Sequence, residues 1–175
     1  MQWYDSVFEL IDMRSFSNLW FWIALAVVWS SASHWVLGVP FDMVTRARRH
    51  GGEAVADVED LVRVNINRMI YIARVSGLWL MGFTTFSLTM LAVLGFVYGI
   101  EFCQAVFLIS LPMSFVGLMR INAARRIAAE DCRGEALLRR LGRHRLATQI
   151  VGMIAIFVTA MWGMWQNMTT PALGG

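Results

Sequence analysis

The sequence predicts an all-α polytopic membrane protein with four transmembrane helices and two Arg-rich cytoplasmic helical hairpins. Three observations carry that prediction. Of 175 residues, 58% are hydrophobic and 15% charged, against roughly 45–50% and 25% in soluble domains. Four stretches reach the ~20 mostly apolar residues that a spanning helix needs. The basic residues are confined to alternate connections between those stretches. The length suits one unit.

In chain order, residues 1–14 place Trp3, Tyr4, Val7, Phe8 and Ile11 on one helical face and Asp5, Glu9 and Asp12 on the other. That pattern predicts an amphipathic helix on the outer membrane surface. It is not that of a cleavable signal, whose opening region is basic. The first span is expected over 18–39. A first hairpin over 40–75 follows, with Pro40 starting a helix, a break at His50-Gly51-Gly52 and a second helix from about Val55. The second span covers 76–98, the turn Gly99-Ile100-Glu101 carries no base, and the third span covers 102–119. A second hairpin over 120–145 continues past Arg125 and Arg126, breaks at Asp131-Cys132-Arg133-Gly134 and resumes through Leu137, Leu138 and Leu141. The fourth span is expected over 146–168, before an uncharged tail.

All 15 basic residues are Arg, and 14 of them lie in the two hairpins. Basic connections stay on the cytoplasmic side. The expected location is therefore the bacterial inner membrane, with both termini on the periplasmic side. Topology accounts for the side on which the Arg lie, and no nucleic-acid recognition motif accompanies them. The first hairpin carries six Arg against five acids, the second eight against three. The surplus in the second nominates Arg125, Arg126, Arg139, Arg140, Arg143 and Arg145 as contacts for anionic lipid headgroups or an acidic partner.

Few other residues suggest chemistry. His34 sits near the inner end of the first span, and an ionisable group at membrane depth points to a haem or metal ligand or a proton-responsive group. The competing reading is a neutral His bonded to a neighbouring helix. Asp42 and Arg74 form a candidate ion pair, against snorkelling of Arg74 to the headgroups. Met161, Met164 and Met168 have thioethers suited to copper(I), although Met is also a filler of irregular gaps. Ala155, Thr159 and Gly163, and likewise Ser110 and Ser114, recur every four residues and predict close helix packing. Cys103 and Cys132 fall on opposite sides of the bilayer, so they are expected to stay unpaired. ARRHGGE at 47–53 and ARRIAAE at 124–130 align at an offset of 77 residues, which raises a duplication of span, hairpin and span. No nucleotide loop, metal-protease motif or nucleophile motif occurs, so no enzymatic activity and no resident cofactor are expected.

The stretches FELIDMRSFSNLWFWIALAVVWSSASHWVLGVP, RVSGLWL and AIFVTAMWGMWQN resemble a family of uncharacterised bacterial inner-membrane proteins sometimes labelled a component of the SufBCD complex. The resemblance covers most of the chain and implies a link to iron–sulfur assembly. It assigns no residue a role, and two Cys do not supply the four ligands a cluster usually takes. Three functional readings follow. One is a non-catalytic accessory or scaffold subunit that docks another membrane protein, a second copy or anionic lipid through the hairpins. The others are a small oligomeric channel or transporter, and a haem, metal or quinone-site redox protein using His34.

Overall fold

The structure is a computed structural model that describes residues 15–17 and 19–169. It is all-α and about 90% helical. The helix expected over 1–14 lies outside the described residues. After a 3-10 turn at Ser15–Ser17 come α1 (Leu19–His34), a two-stranded ladder of β1 (Trp35–Val36) and β2 (Val39–Pro40), α2 (Phe41–His50) and α3 (Gly52–Val75). Then follow α4 (Gly77–Ala92), which runs into a π turn at Val93–Val97, α5 (Glu101–Ala129) and α6 (Gly134–Thr169). Three helical stretches are long and apolar enough to cross a membrane: Gly77–Val97, Glu101–Ala129 and Gly134–Thr169.

The apolar stretch 18–39 does not form one helix. α1 has 16 residues, about 24 Å at 1.5 Å per residue, and stops at His34. Leu37 and Gly38 then take positive φ of 52° and 80°, the mirror-image turn that closes a two-residue hairpin. Trp35 pairs with Pro40 and Val36 with Val39. A leucine held there costs about 1–2 kcal/mol. Leu37 is fully buried, which returns about 1.5–3 kcal/mol. Two side chains fix the turn. Arg120 Nη2 donates to the Trp35 carbonyl at 2.6 Å, and Asn65 Nδ2 donates to that of Gly38 at 3.1 Å.

The largest buried core lies in the Arg-rich part of the chain rather than among the long apolar helices. Val44 and Ala47 of α2 and Val58, Val62 and Ile66 of α3 join Ala124 and Ile127 at the end of α5. Leu137, Leu138 and Leu141 at the start of α6 complete it, with Val36, Leu37 and Val39 of the turn. The apolar positions repeat at helical spacing, so each helix turns one face inward. In contrast, α4 buries no residue, and its Leu78, Trp79, Phe83 and Phe86 are all exposed. A helix apolar all round and uncovered by protein is stable in lipid, not in water. Smaller clusters tie α1 to α5 and α6 through Leu25, Trp29, Val116 and Ala155, and the 3-10 turn to α5 through Phe16, Phe21 and Ala105.

The chain breaks at Gly51, where φ is 64°, and between Glu130 and Arg133, where Asp131 has φ of 41°. The offset of 77 residues brings those breaks near one another. It also lays Trp35–Pro40, a turn, over residues 112–117, which are continuous α5. The two halves therefore differ in secondary structure at the point where a duplicated unit would enter its hairpin.

Candidate functional site

The polar first turns of α6 form one wall of a groove of about 810 Å³. Glu135, Arg139, Gly142, Leu146 and Gln149 line it at alternating spacings of four and three, which is one stripe of a helix. Arg140, Arg143 and Arg145 flank the stripe, Glu130 and Cys132 close one end, and Phe41 and Arg48 of α2 form the opposite wall. Five Arg thus face two carboxylates.

Each guanidinium is held differently. Arg48 lies across α6 and donates from Nη2 to the Leu138 carbonyl at 2.8 Å. Gly142 makes room for it, because a Cβ there would stand 2.5 Å from Arg48 Nη2. Arg139 pairs with Glu135 at 2.6 Å on the exposed rim. Arg140 is 23% exposed and pairs with Glu130 at 2.5 Å, and this hydrogen bond holds the Glu130 carboxyl below the usual range. Arg145 stacks its guanidinium 3.8 Å above the Phe41 ring, a cation–π contact. Two N–H groups, Arg140 Nη1 and Arg145 Nε, are buried with no hydrogen-bond partner. Buried polar groups are ordinarily paired, and these two donors are not.

The structure brings together Arg139, Arg140, Arg143 and Arg145, four of the six Arg nominated from sequence. Arg125 and Arg126 are exposed on α5 and do not line the groove. The nearly balanced charge of its segment hides Arg48 in the sequence. The signal was positional: Val44, Ala47 and Arg48 fall on one face of α2 at helical spacing, and that face is buried at the first two.

Asp42 and Arg74 do not meet, since among the described residues no ion pair joins them. Asp42 opens α2 and Arg74 closes α3. Folding back at Gly51 sets Asp42 opposite residues near 60, so Arg74 lies about 14 residues, or ~20 Å, farther along α3. His34 is exposed and meets Trp35 edge-on at a ring separation of 5.8 Å. Among the described residues, no group of three or more His, Cys, Asp or Glu is placed to hold a metal, and Cys103 and Cys132 are free thiols.

The small residues of α6 face inward. Ala155, Thr159 and Gly163 are buried. A Cβ at Gly163 would touch Phe16 Cδ1 at 3.3 Å, and Gly152 on the same stripe receives Trp29. Thr159 donates back to the Ala155 carbonyl, and half-buried Ser114 to that of Ser110, both at 2.7 Å. Met161, Met164 and Met168 are exposed.

His144 lies between the groove residues Arg143 and Arg145 but turns inward, buried in the polar part of α6 and without a partner at Nε2. Burial first, and the Arg120 charge second, push its pKa below the ordinary 6.5. The unfolded chain therefore takes up the proton first, so this contribution to stability is complete above pH 6.5 and is lost as pH falls toward the folded-state value. Unfolding free energy measured from pH 7.5 down to 5 is expected to decline, and His144→Gln to flatten the decline. An unchanged slope in the variant would remove His144 as its source.

Comparison of the chain with family models, curated proteins and solved structures finds no match.

Proposed function

We propose that the protein is a non-catalytic accessory or scaffold subunit of the bacterial inner membrane that docks an acidic partner or anionic lipid through its Arg-rich helices. In this reading α1, continued by its turn, is a fourth and shorter crossing. The Arg-rich segments face the cytoplasm and both termini face the periplasm. The distribution of Arg supports that orientation. The observation that carries the reading is the convergence of five Arg, from two segments 90 residues apart, on one groove.

Exposed ion pairs contribute about 0–1 kcal/mol each. A cluster of this size is thus poorly explained by stability alone. Conversion of Arg139, Arg140, Arg143 and Arg145 to Glu is expected to reduce retained proteins and anionic lipids at least tenfold when the protein is isolated in mild detergent, with helical content unchanged. Equal retention would refute the reading.

A further inference from the structure

We infer that the groove between α2 and α6 binds the phosphate of an anionic lipid headgroup, with the apolar part of the lipid lying along Phe41 and Leu146. This rests on the docking role proposed above and narrows it to one ligand chemistry.

The number and placement of donors favour a phosphate. Glu135 and Glu130 already engage Arg139 and Arg140 Nη2. Arg48 spends one N–H on the Leu138 carbonyl. What remains is a set of guanidinium N–H groups from Arg48 on one wall of the groove and from Arg139, Arg140, Arg143 and Arg145 on the other. The planar guanidinium fork suits carboxylates and phosphates alike. A carboxylate presents two acceptor oxygens in one plane, whereas a phosphate presents oxygens in several directions and can reach more than one guanidinium. The net charge of the lining, five Arg against two Glu, is +3, enough to hold such an anion without protonating it.

The groove also straddles a polarity boundary along α6. The helix is polar from Gly134 to Arg145 and almost wholly apolar from Leu146 onward. Arg143 and Arg145 lie on one side of that boundary and Leu146 on the other, and all three line the groove. Phe41 sits beneath Arg145 and continues the apolar lip. A ligand with a phosphate joined to an apolar tail covers both parts. A free phosphate would leave the lip unused.

One wall of the groove is preorganised as well. Arg48 is fixed across Gly142 by a backbone acceptor, so its charge is in place before a ligand arrives. Side chains ordered in advance lose less entropy on binding.

The test uses the full-length protein in a zwitterionic detergent, titrated by calorimetry with short-chain phosphatidylglycerol, the matching diacylglycerol, a fatty acid of equal chain length and inorganic phosphate. Phosphatidylglycerol is expected to bind, and diacylglycerol not to. Loss of one charged hydrogen bond corresponds to roughly a tenfold fall in affinity. Arg145→Gln should show about that fall, and Arg140→Gln with Arg145→Gln a larger one. Gly142→Ala should also weaken binding, because the Cβ displaces the flexible end of Arg48 while the helix gains a better former. Arg125→Gln with Arg126→Gln, off the groove, should bind as the parent does. Melting temperatures of all variants separate lost binding from lost folding, and Gly142→Ala keeps the test decisive where an Arg variant fails to fold. Phosphate that competes with phosphatidylglycerol at equal affinity would overturn the lipid as the source. Fatty acid that binds as tightly would overturn the preference for phosphate. Equal affinity in the groove variants would overturn the site. In the last case, Arg-dependent retention of a protein partner would leave the docking reading standing, and its absence would remove both.

Discussion

Leu141→Ala is expected to destabilise the protein by about 3–4 kcal/mol, within the range seen for large-to-small changes at fully buried sites. Leu141 is 0% exposed, in a core where α2, α3, α5 and α6 meet. The helices around it are fixed by the turn contacts of Arg120 and Asn65, by Arg48 on Leu138, and by Glu59, which accepts from the Gly134 backbone N–H. They have little freedom to collapse into the space left, so the cavity cost adds to the lost burial. Unfolding in mixed micelles followed by near-UV circular dichroism measures it. Leu118→Ala, at a site 63% exposed on α5, should change stability by less than about 0.5 kcal/mol. Equal losses for the two would mean that the apolar core between the Arg-rich helices does not anchor the fold. Because Leu138 and Leu141 share a turn, the variant should also weaken any ligand held by Arg48.

The second large effect is expected at Gln104, which is 4% exposed on α5. Its Nε2 donates to the Gly95 carbonyl at 2.7 Å. Its Oε1 accepts from Trp162 Nε1 at 3.0 Å and from Gln166 Nε2 at 2.5 Å. The π turn at Val93–Val97 creates the need. Backbone N–H groups reach the carbonyls of Val93 and Leu94, and Gln104 supplies the donor for that of Gly95. Gly95 also lets the backbones approach, since a Cβ would stand 2.9 Å from the Gln104 backbone nitrogen. Gln104→Leu leaves the Gly95 carbonyl and the Trp162 Nε1–H without their partner and removes one acceptor from Gln166. Interhelical hydrogen bonds in membranes contribute about 0.6–1.7 kcal/mol each, and an orphaned buried group costs about 1–3. The expected loss is about 3 kcal/mol. Gly95→Ala should destabilise through the same contact, so the double variant should lose less than the sum of the singles. Strict additivity would show that the two residues act separately.

The features visible in the sequence were those set by length and composition. Apolar runs of about 20 residues became the three long helices, and the breaks at Gly51 and at 130–133 fell where Gly and Asp clusters place them. The end of α1 was not visible. Trp35-Val36-Leu37-Gly38-Val39-Pro40 continues an apolar run, and a leucine at positive φ gives no turn signal. Only burial of Leu37 in a core assembled from four other segments makes that conformation affordable. The π turn is equally silent, because its missing backbone bond is restored by Gln104, in the next helix. The site was half visible. Counting charge per segment found the Arg of α6 but placed Arg125 and Arg126 with them, where α5 turns both outward. The same count passed over Arg48, whose value lies in its face of the helix.

The contact between Arg48 and the Leu138 carbonyl spans 90 residues. At 5–20 residues per second, synthesis of that interval takes roughly 5–18 seconds. Throughout that time α2 and α3 exist without the helix that completes their core and without the far wall of the groove. The site is therefore a late product of translation, and a truncated chain that ends before α6 presents its Arg without the geometry that would select a ligand.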